Sequence, residues 1–327
     1  MTTNNNRRGN APAILRSLRA TACAASLLVA TLLAASACSD ELESQSGANP
    51  NGNASGTPIT LTARIADTDG ADTRINVYPS DESNNVKLSW TTGDEFQLYT
   101  NTNQGGAIDT PAGLFKVMAN SGKLTSIFSG NLVAEGASYK AYFPADKFAT
   151  TTTPEISIIG QEQNKNDYNS HLAELSVMQS DEIKDLTKEI LFKPMLTLIA
   201  FDLEMPKGVT SVTDLTIKAS GAEDNNVFSE YLFDEKPGLS ELSMKLTNVT
   251  ISYFPRLRAY MLVHSFALKD QKLSITIKTN NKNYVYESPQ AITKTYQAGK
   301  RYTATVAASE LKPIMDPMTF TIKVESD

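Results

Sequence analysis

Apolar and polar side chains alternate along most of the chain after residue 58. A period of two predicts a strand that buries one face, because successive side chains of a strand point to opposite sides. Glycine, asparagine and proline clusters separate these runs at intervals of about ten residues, as turns between strands do. The predicted strands are 59–65, 86–90, 96–99, 114–119, 124–129, 139–143, 155–159, 196–203, 212–218, 242–251, 257–263, 273–278, 283–287 and 302–306.

Many short strands with almost no helical periodicity predict an all-β fold of antiparallel β-sandwiches. Residues 168–188 depart from this pattern. There, Leu172, Leu175 and Met178 are spaced by three residues, which predicts a short helix or an ordered loop. A length of 327 residues is typical of two domains. We place an N-terminal β-sandwich domain at 59–188 and a C-terminal one at 189–310.

The end of the chain, 311–327, forms a segment of its own. Pro313 and Pro317 interrupt the strand pattern, and proline is poorly tolerated inside a sheet. A last alternating run follows, and its apolar side chains share one face: Met318, Phe320, Ile322 and Val324. This strand is either held apart from the C-terminal domain or is simply the last strand of that domain; the pattern leaves both interpretations open.

The first 37 residues have the order of a secretory signal peptide. Their early part carries four arginines and no acidic residue, and a mostly apolar run follows over 22–34. This run is too short and wrongly flanked for a transmembrane helix. The sequence 35–38, Ala-Ser-Ala-Cys, resembles a lipobox, the site at which bacterial lipoproteins are cut and acylated. We therefore predict a signal peptide at 1–37 and lipidation of Cys38. An incidental cysteine at an ordinary cleavage site is the alternative.

Residues 38–58 are predicted to be a flexible lipoprotein tether. They contain almost no apolar side chain and so cannot bury enough surface to fold. Ser39-Asp40-Glu41, directly after the cysteine, resembles the acidic tag that sends lipoproteins of some Gram-negative bacteria to the cell surface. A merely hydrophilic tether explains these three residues equally well.

The charge of the chain argues against nucleic acid as a partner. The formal charge is −6, and four of the arginines lie in the leader, so the remainder is more acidic. Phosphate contacts need clustered lysine and arginine, which an acidic chain does not provide. Of the two cysteines, Cys23 also lies in the leader, so no disulfide is expected once the leader is removed.

Residues with catalytic chemistry are scarce. His171 and His264 are the two histidines, and neither belongs to a nucleophile elbow, a zinc spacing or a glycine-rich phosphate loop. We therefore predict no enzyme activity, no cofactor and no metal. Trp90, the single tryptophan, shares a predicted strand face with Val86 and Leu88. This position indicates the core rather than a platform for glycan binding.

Three short motifs stand out in the sequence: WTTGD at 90–94, YKAYFP at 139–144 and YQAGKRY at 296–302. Together they resemble motifs of the fimbrillin (Mfa-like) lipoproteins of Gram-negative anaerobes. Residues 90–94, WTTGD, resemble the W-x-x-G-D element of that family. Residues 139–144, YKAYFP, resemble its Y-x-A-Y-Y-P strand, and residues 296–302, YQAGKRY, resemble its F-x-A-G-K-x-Y sequence near the end of the second domain. The three occur in the family's order behind a lipoprotein leader.

The resemblance implies two transthyretin-like β-sandwich domains and a structural role in surface fimbriae that serve cell adhesion. It also implies a maturation route. The precursor reaches the cell outer membrane as a lipoprotein, and a trypsin-like protease then cuts after an arginine early in the first domain. This cut removes the lipid and the first strand, and a terminal strand of another subunit fills the open groove by β-strand addition. The implied partners are other copies or related fimbrial subunits, the lipid anchor on Cys38 and the maturation protease.

On this reading Arg74 is the candidate cleavage site, because it follows the first predicted strand in a polar loop, where nicking concentrates. Arg64 is the other candidate, but it lies inside a predicted strand. A permanently anchored surface lipoprotein that binds glycan or a host ligand, and keeps Cys38, is the alternative function. The displaced strand would present Ile59, Leu61, Ala63 and Ile65, and the donor strand would present Met318, Phe320, Ile322 and Val324.

Overall fold

Strands make up almost all of the regular structure, in agreement with the predicted all-β class. The computed structural model describes residues 56–66, 88–103, 105–221, 225–251 and 255–314, which belong to one compact unit. The signal peptide, residues 38–55 of the tether with Cys38, Arg74 and the apolar residues of the predicted donor strand lie outside the described residues. The last two residues of the predicted tether, Thr57 and Pro58, belong to the first strand. The first half contains β1 (Thr57–Ile65), β2 (Glu95–Thr100), β3 (Thr110–Ala119), β4 (Thr125–Leu132), β5 (Tyr139–Phe143), β6 (Glu162–Asn164), helix α1 (His171–Glu174), β7 (Met178–Ser180) and β8 (Ile190–Pro194).

In the described residues of the second half, the regular elements are strands and one 3-10 helix, Ala308–Glu310. Its longest strand has fourteen residues and pairs with three other strands, one of which is the hairpin partner that follows it. The strands are β9 (Thr197–Glu204), β10 (Ser211–Ser220), β11 (Glu241–Thr250), β12 (Arg256–Val263), β13 (Phe266–Thr279), β14 (Tyr284–Glu287), β15 (Ile292–Tyr296), β16 (Arg301–Val306) and β17 (Lys312–Pro313).

The first half forms a closed barrel in the order β1-β4-β3-β2-β5-β7-β8. Its centre is aromatic, since Trp90 has no exposed surface and packs edge-on against three phenylalanine rings. The ring centroids lie 5.0 Å away for Phe128 and 5.3 Å away for both Phe143 and Phe192. Edge-to-face pairs of this kind add to the stabilisation that burial alone supplies. The sequence prediction that Trp90 is a core residue is confirmed.

The second half is built from two sheets that share one apolar core. The smaller sheet has the order β12-β9-β16, and the larger has the order β17-β14-β13-β10-β11-β6, with β15 also paired to β13. Leu203 and Leu257 of the smaller sheet are fully buried in the same cluster as Leu215 and Ile277 of the larger sheet. The predicted hairpin is present, because β13 and β14 pair antiparallel with Ile277 opposite Tyr284.

Two predicted strands are wrong in the described residues. Leu88, Ser89 and Trp90 have no strand pairing of their own, because they lead into a turn rather than into a sheet. Residues 155–159 contain only an isolated bridge from Ser157 to Tyr231. The short strands β6, β15 and β17 were not predicted, since two to five residues carry too little periodicity to be recognised.

The WTTGD motif forms a turn into β2. The Thr91 backbone N–H donates to Asp94 Oδ2 at 2.7 Å, and the Thr91 hydroxyl donates to Asp94 Oδ1 at 2.8 Å. Burial raises the pKa of Asp94, while the hydrogen bonds from Thr91 oppose that shift. Gly93 has φ of +100°, in the region that favours glycine. The motif is thus explained by turn geometry and needs no catalytic role.

A third apolar cluster contains residues of both halves. Tyr99 and Tyr142 come from the barrel, and Leu198 and Tyr260 come from the smaller sheet. The chain also passes between the halves before the barrel is complete, because β6 pairs in parallel with β11, whereas the later strands β7 and β8 complete the barrel. The transition from the barrel to the smaller sheet falls between Pro194 and Thr197. A domain boundary between 188 and 189 stays a prediction.

His171, the first residue of α1, packs against β12, and its Nε2 lies 2.8 Å from the Tyr260 carbonyl oxygen. The segment around it does contain a short helix, as the spacing predicted, but the histidine is half-buried rather than solvated. Burial lowers the pKa of His171, although the hydrogen bond to Tyr260 and the nearby Glu174 carboxylate oppose that shift. The folded chain therefore binds this proton less readily than the unfolded chain.

We expect His171 to make the fold less stable in acid. The stability that the neutral His171 ring contributes is fully present above the pKa of histidine in the unfolded chain, about 6.5. It is lost as the pH falls towards the lower pKa of His171 in the folded chain. As the pH falls from 7.5 to 5.5, the melting temperature of wild type should therefore decrease relative to that of His171→Gln. Thermal unfolding at several pH values provides the measurement. His264→Gln is the control, since it removes the other histidine. A difference between His171→Gln and wild type that is the same at every pH would contradict the expectation.

Candidate strand-exchange site

Strand β1 closes the barrel between two strands that are distant from it in sequence. It pairs antiparallel with β4, from Thr57 opposite Leu132 to Arg64 opposite Thr125. On its other side it pairs in parallel with β8 over three residues, with Ala63 opposite Ile190. Each edge of β1 is thus hydrogen-bonded to a different neighbour, so removing β1 would open the barrel along both.

The four residues predicted to form the apolar face of the displaced strand do share the inward face of β1. Leu61, Ala63 and Ile65 are almost completely buried, and Ile59 is partly buried against the same core. Thr60 and Thr62, which alternate with them, are exposed. Their alternation follows the period of two of a strand, which is why the sequence alone was sufficient to assign the faces.

Aromatic residues of the two neighbouring strands face the same core. Leu61 lies opposite Phe128 of β4, and Ile65 lies opposite Phe192 of β8. Opposed residues on adjacent strands point to the same side of a sheet, so these pairs pack together in the barrel. Phe96 links the two phenylalanines, with ring centroids 4.9 Å from Phe128 and 5.3 Å from Phe192. The groove that β1 fills is therefore apolar and largely aromatic.

A glycine shapes this groove beside Ile59. Gly130 of β4 lies opposite Ile59 on one side and Phe115 of β3 on the other. A Cβ atom at Gly130 would overlap the Leu114 carbonyl oxygen and would lie 2.8 Å from the Phe115 ring. The missing side chain therefore lets the Phe115 ring lie close to the β4 backbone. Sequence reasoning treated such glycines as turn signals and missed this role.

Arg64, the less favoured cleavage candidate, is held within the sheet. It lies opposite Thr125 on β4 and Leu191 on β8, and its Nε donates to Glu189 Oε1 at 2.7 Å. Both side chains are partly exposed, so the ion pair contributes only about 0.2–1 kcal/mol. The paired backbone is the larger obstacle, because a protease needs an unpaired, extended segment around the bond that it cuts.

The ends of the described segments bracket the other predicted sites. The chain leaves β1 at Ala66, whose N–H donates to the Phe192 carbonyl, and is described again from Leu88. Arg74 falls between these two residues. At the other terminus Pro313 lies opposite Tyr284, and Ile314 donates its N–H to Asn283 at 2.8 Å. The four apolar donor-strand residues come after this point.

The described part of the chain holds no group of three or more histidine, cysteine, aspartate or glutamate side chains arranged for a metal ion. His264 lies in the connection between β12 and β13, with Nδ1 3.0 Å from the Ser265 carbonyl oxygen. Both histidines thus contact backbone carbonyls. Within the same residues, no helix is long and apolar enough to cross a bilayer.

The aromatic residues considered for glycan binding do not form an exposed platform. Trp90 is enclosed in the barrel core. Tyr284 is buried in the second-half core, and Tyr286 is partly buried against it. Tyr168 is the tyrosine among the large exposed apolar residues of the described chain, at 44% exposure. One exposed ring provides a smaller stacking surface than the several rings expected of a glycan site.

No protein-family profile and no curated protein matches this sequence. Solved structures do resemble it. A cell adhesion protein from Bacteroides ovatus is 14% identical, with 83% of this chain and 99% of that chain covered and a TM-score of 0.45. The tip fimbrial protein Mfa3 from Porphyromonas gingivalis, with a C-terminal truncation, is 10% identical, with 79% and 98% covered and a TM-score of 0.41.

A fimbrial assembly protein from Parabacteroides distasonis is also similar, at 10% identity, with 80% of this chain and 100% of that chain covered and a TM-score of 0.36. All three names denote fimbrial or cell adhesion proteins, and none denotes an enzyme. At identities of 10 to 14% the likeness assigns no role to any residue of this chain.

Proposed function

We propose that this chain is a structural subunit of cell-surface fimbriae that polymerises by donor-strand exchange. The precursor is exported as a lipoprotein through Cys38 and is cut after Arg74, and β1 then leaves the barrel with the lipid. The C-terminal strand of another subunit, through Met318, Phe320, Ile322 and Val324, takes its place. The fimbrial and adhesion names of the similar structures support a surface location and association with other subunits.

The position of β1 in the chain is the observation that carries this proposal. β1 is the first strand in the described residues, and every other strand of the barrel follows it in sequence. A single cut between Ala66 and Leu88 would therefore release β1 and leave β2, β3, β4, β5, β7 and β8 on one continuous chain. A strand in the middle of the chain could be removed only by two cuts.

The energy of burial is compatible with such an exchange. Four buried apolar side chains contribute on the order of 6–12 kcal/mol, before ordering costs. The leaving strand includes Ala63, the smallest of its inward residues, and each of the four apolar donor residues is larger than alanine. More apolar surface on the donor favours the exchange, whereas overpacking costs about 1–3 kcal/mol where the groove cannot widen. Ala63 is fully enclosed, so a larger side chain in its place requires the groove to widen.

Replacing Arg74 should block maturation. Arg74→Ala removes the side chain that a trypsin-like protease recognises, so we expect cells with this variant to keep lipidated precursor and to lack SDS-resistant ladders. Arg64→Ala is the matched control and should mature normally, because Arg64 is paired within β1. Immunoblots of sheared material and its N-terminal residue provide the measurement: Ile75 is expected for wild type. Ladders of normal intensity from Arg74→Ala would rule out this cleavage, and a wild-type chain that still starts at Cys38 would favour the anchored alternative.

The C-terminal strand should be necessary for assembly but not for the fold. Deleting 315–327 leaves β17 in place, so we expect a folded precursor that is cut but forms no ladders. A finer test compares Phe320→Asp with Thr321→Asp, since only the first places a charge on the apolar face. The first should abolish ladders and the second should largely retain them. Equal ladders from the deletion and from wild type would exclude this segment as the donor.

Strand exchange also predicts that β1 contributes to the stability of the precursor and not to that of the assembled fimbriae. Leu61→Ala should destabilise the precursor by about 2–5 kcal/mol, because it leaves a cavity in the barrel core. The same substitution should leave the thermal stability of purified fimbriae unchanged, since β1 is no longer present. Leu98→Ala in β2 is the control, because Leu98 is equally buried in the same core and should weaken both forms. Fimbriae weakened by Leu61→Ala would show that β1 is retained.

A further inference from the structure

Strand β12 lies at the edge of the smaller sheet and has β9 as a strand neighbour on one side only. Its other side faces residues 161–167, which come from the first half of the chain. That segment includes β6, whose backbone pairs with β11 of the larger sheet. An unpaired strand edge would leave a row of N–H and C=O groups without partners, and such an edge invites pairing with another chain.

Side-chain amides occupy the open edge of β12. Gln161 accepts a hydrogen bond from the Leu262 N–H at 2.9 Å and donates to the Leu262 carbonyl at 2.6 Å. Gln163 accepts from the Tyr260 N–H at 2.9 Å and donates to the Arg258 carbonyl at 2.8 Å. Both glutamines are buried, and Gln163 has no exposed surface.

The row continues beyond the two glutamines. Asn166 accepts from the Arg258 N–H at 2.8 Å and donates to the Arg256 carbonyl at 2.8 Å. The Tyr260 carbonyl has no amide partner in this row, and its oxygen lies 2.8 Å from Nε2 of His171. Every second residue of β12 from Arg258 to Leu262 thus has both of its outward backbone groups satisfied. A primary amide carries one acceptor and two donors, so it can replace the peptide group of a neighbouring strand.

The opposite edge of the same sheet has no such cover among the described residues. Strand β16 pairs with β9, and the Leu198 N–H donates to the Lys300 carbonyl at 3.0 Å. In a parallel ladder the backbone groups alternate between the two sides of a strand, so those of Thr303 and Thr305 point away from β9. One flank of the second-half core is therefore closed by amides, while the other ends in a strand edge.

We propose that Gln161, Gln163 and Asn166 form an edge lock, which replaces a neighbouring strand on β12 and prevents a second copy of this chain from pairing there. The lock also joins the halves, because its backbone adds to the larger sheet while its side chains complete the smaller one. The inference concerns the uncleaved chain and holds whether or not strand exchange occurs at β1.

The first test converts the amide of Gln163 into a carboxyl group in the full chain. In Gln163→Glu at pH 8 a carboxylate faces the carbonyls of Arg258 and Lys165, to which the amide donates at 2.8 and 3.0 Å. We expect a melting temperature at least about 5 °C below wild type. The charged side chains of Arg258 and Asp167 are paired with each other at 3.0 Å, and Arg258 also lies 3.9 Å from Asp202. His171 also contacts β12, so the variant is compared with wild type at each pH.

The deficit should shrink as pH falls towards 5, because the protonated carboxyl group can again donate to one carbonyl and accept from Tyr260. The folded chain then binds this proton more tightly than the unfolded chain, so the lost stability returns in acid. Gln297→Glu, at an exposed glutamine, is the matched control and should differ little from wild type at either pH. A deficit of Gln163→Glu that is constant from pH 8 to 5 would overturn the pairing.

The second test asks whether the lock prevents association. The double variant Gln161→Ala and Gln163→Ala removes the side-chain partners of the Tyr260 N–H and of the Leu262 N–H and carbonyl. We expect association that increases with concentration in analytical ultracentrifugation. All variants are measured in one detergent solution. In it, wild type and Gln297→Ala should keep one sedimentation coefficient as the concentration increases. Gln163→Glu offers a second measurement if the double variant does not fold, since its association should be present at pH 8 and lost at pH 5. Variants that unlock β12 yet sediment as wild type would overturn the edge-lock role.

Discussion

The closure of the barrel by β1 is the constraint on which the first half depends. This strand pairs with β4 along eight residues and with β8 along three, and its apolar face completes a core centred on Trp90. Both neighbours would become open edges without it, and the aromatic rings beneath would meet water. Any process that removes β1 must therefore supply a strand of similar pattern, because bare edges and exposed aromatic surface favour association.

The same physical problem recurs in the second half with a different solution. There the edge of β12 is closed by the side chains of residues 161–167 rather than by a strand backbone. Because that segment also pairs with β11, it spans the gap between the two sheets. The molecule thus combines an edge closed by a terminal strand, which one cut can free, and an edge closed by buried amides from the middle of the chain, which a cut near β1 leaves untouched.

Local pattern was sufficient for much of the fold, and its failures have definite causes. Alternation located β1 and the β13–β14 hairpin, because these strands bury mainly one face. β9 was located as a long apolar run, and it is buried on both faces. The local pattern failed at 155–159, where the apolar residues pack against the second half without forming a strand. It also carries no signal for the burial of His171, because that burial depends on β12, almost ninety residues later in the chain.

For the candidate site, the sequence alone was enough to assign the inward face of β1, since side-chain direction in a strand follows from residue order. It also identified Cys38, Arg74 and the C-terminal apolar run as candidates, by motif and position. The neighbours of β1, the aromatic groove and the amides on β12 emerged only from the folded chain. The strand pairs of β1 join residues 61 to 127 positions apart, and the amide contacts on β12 join residues 90 to 101 positions apart. Partners at such distances leave no periodic trace in the sequence.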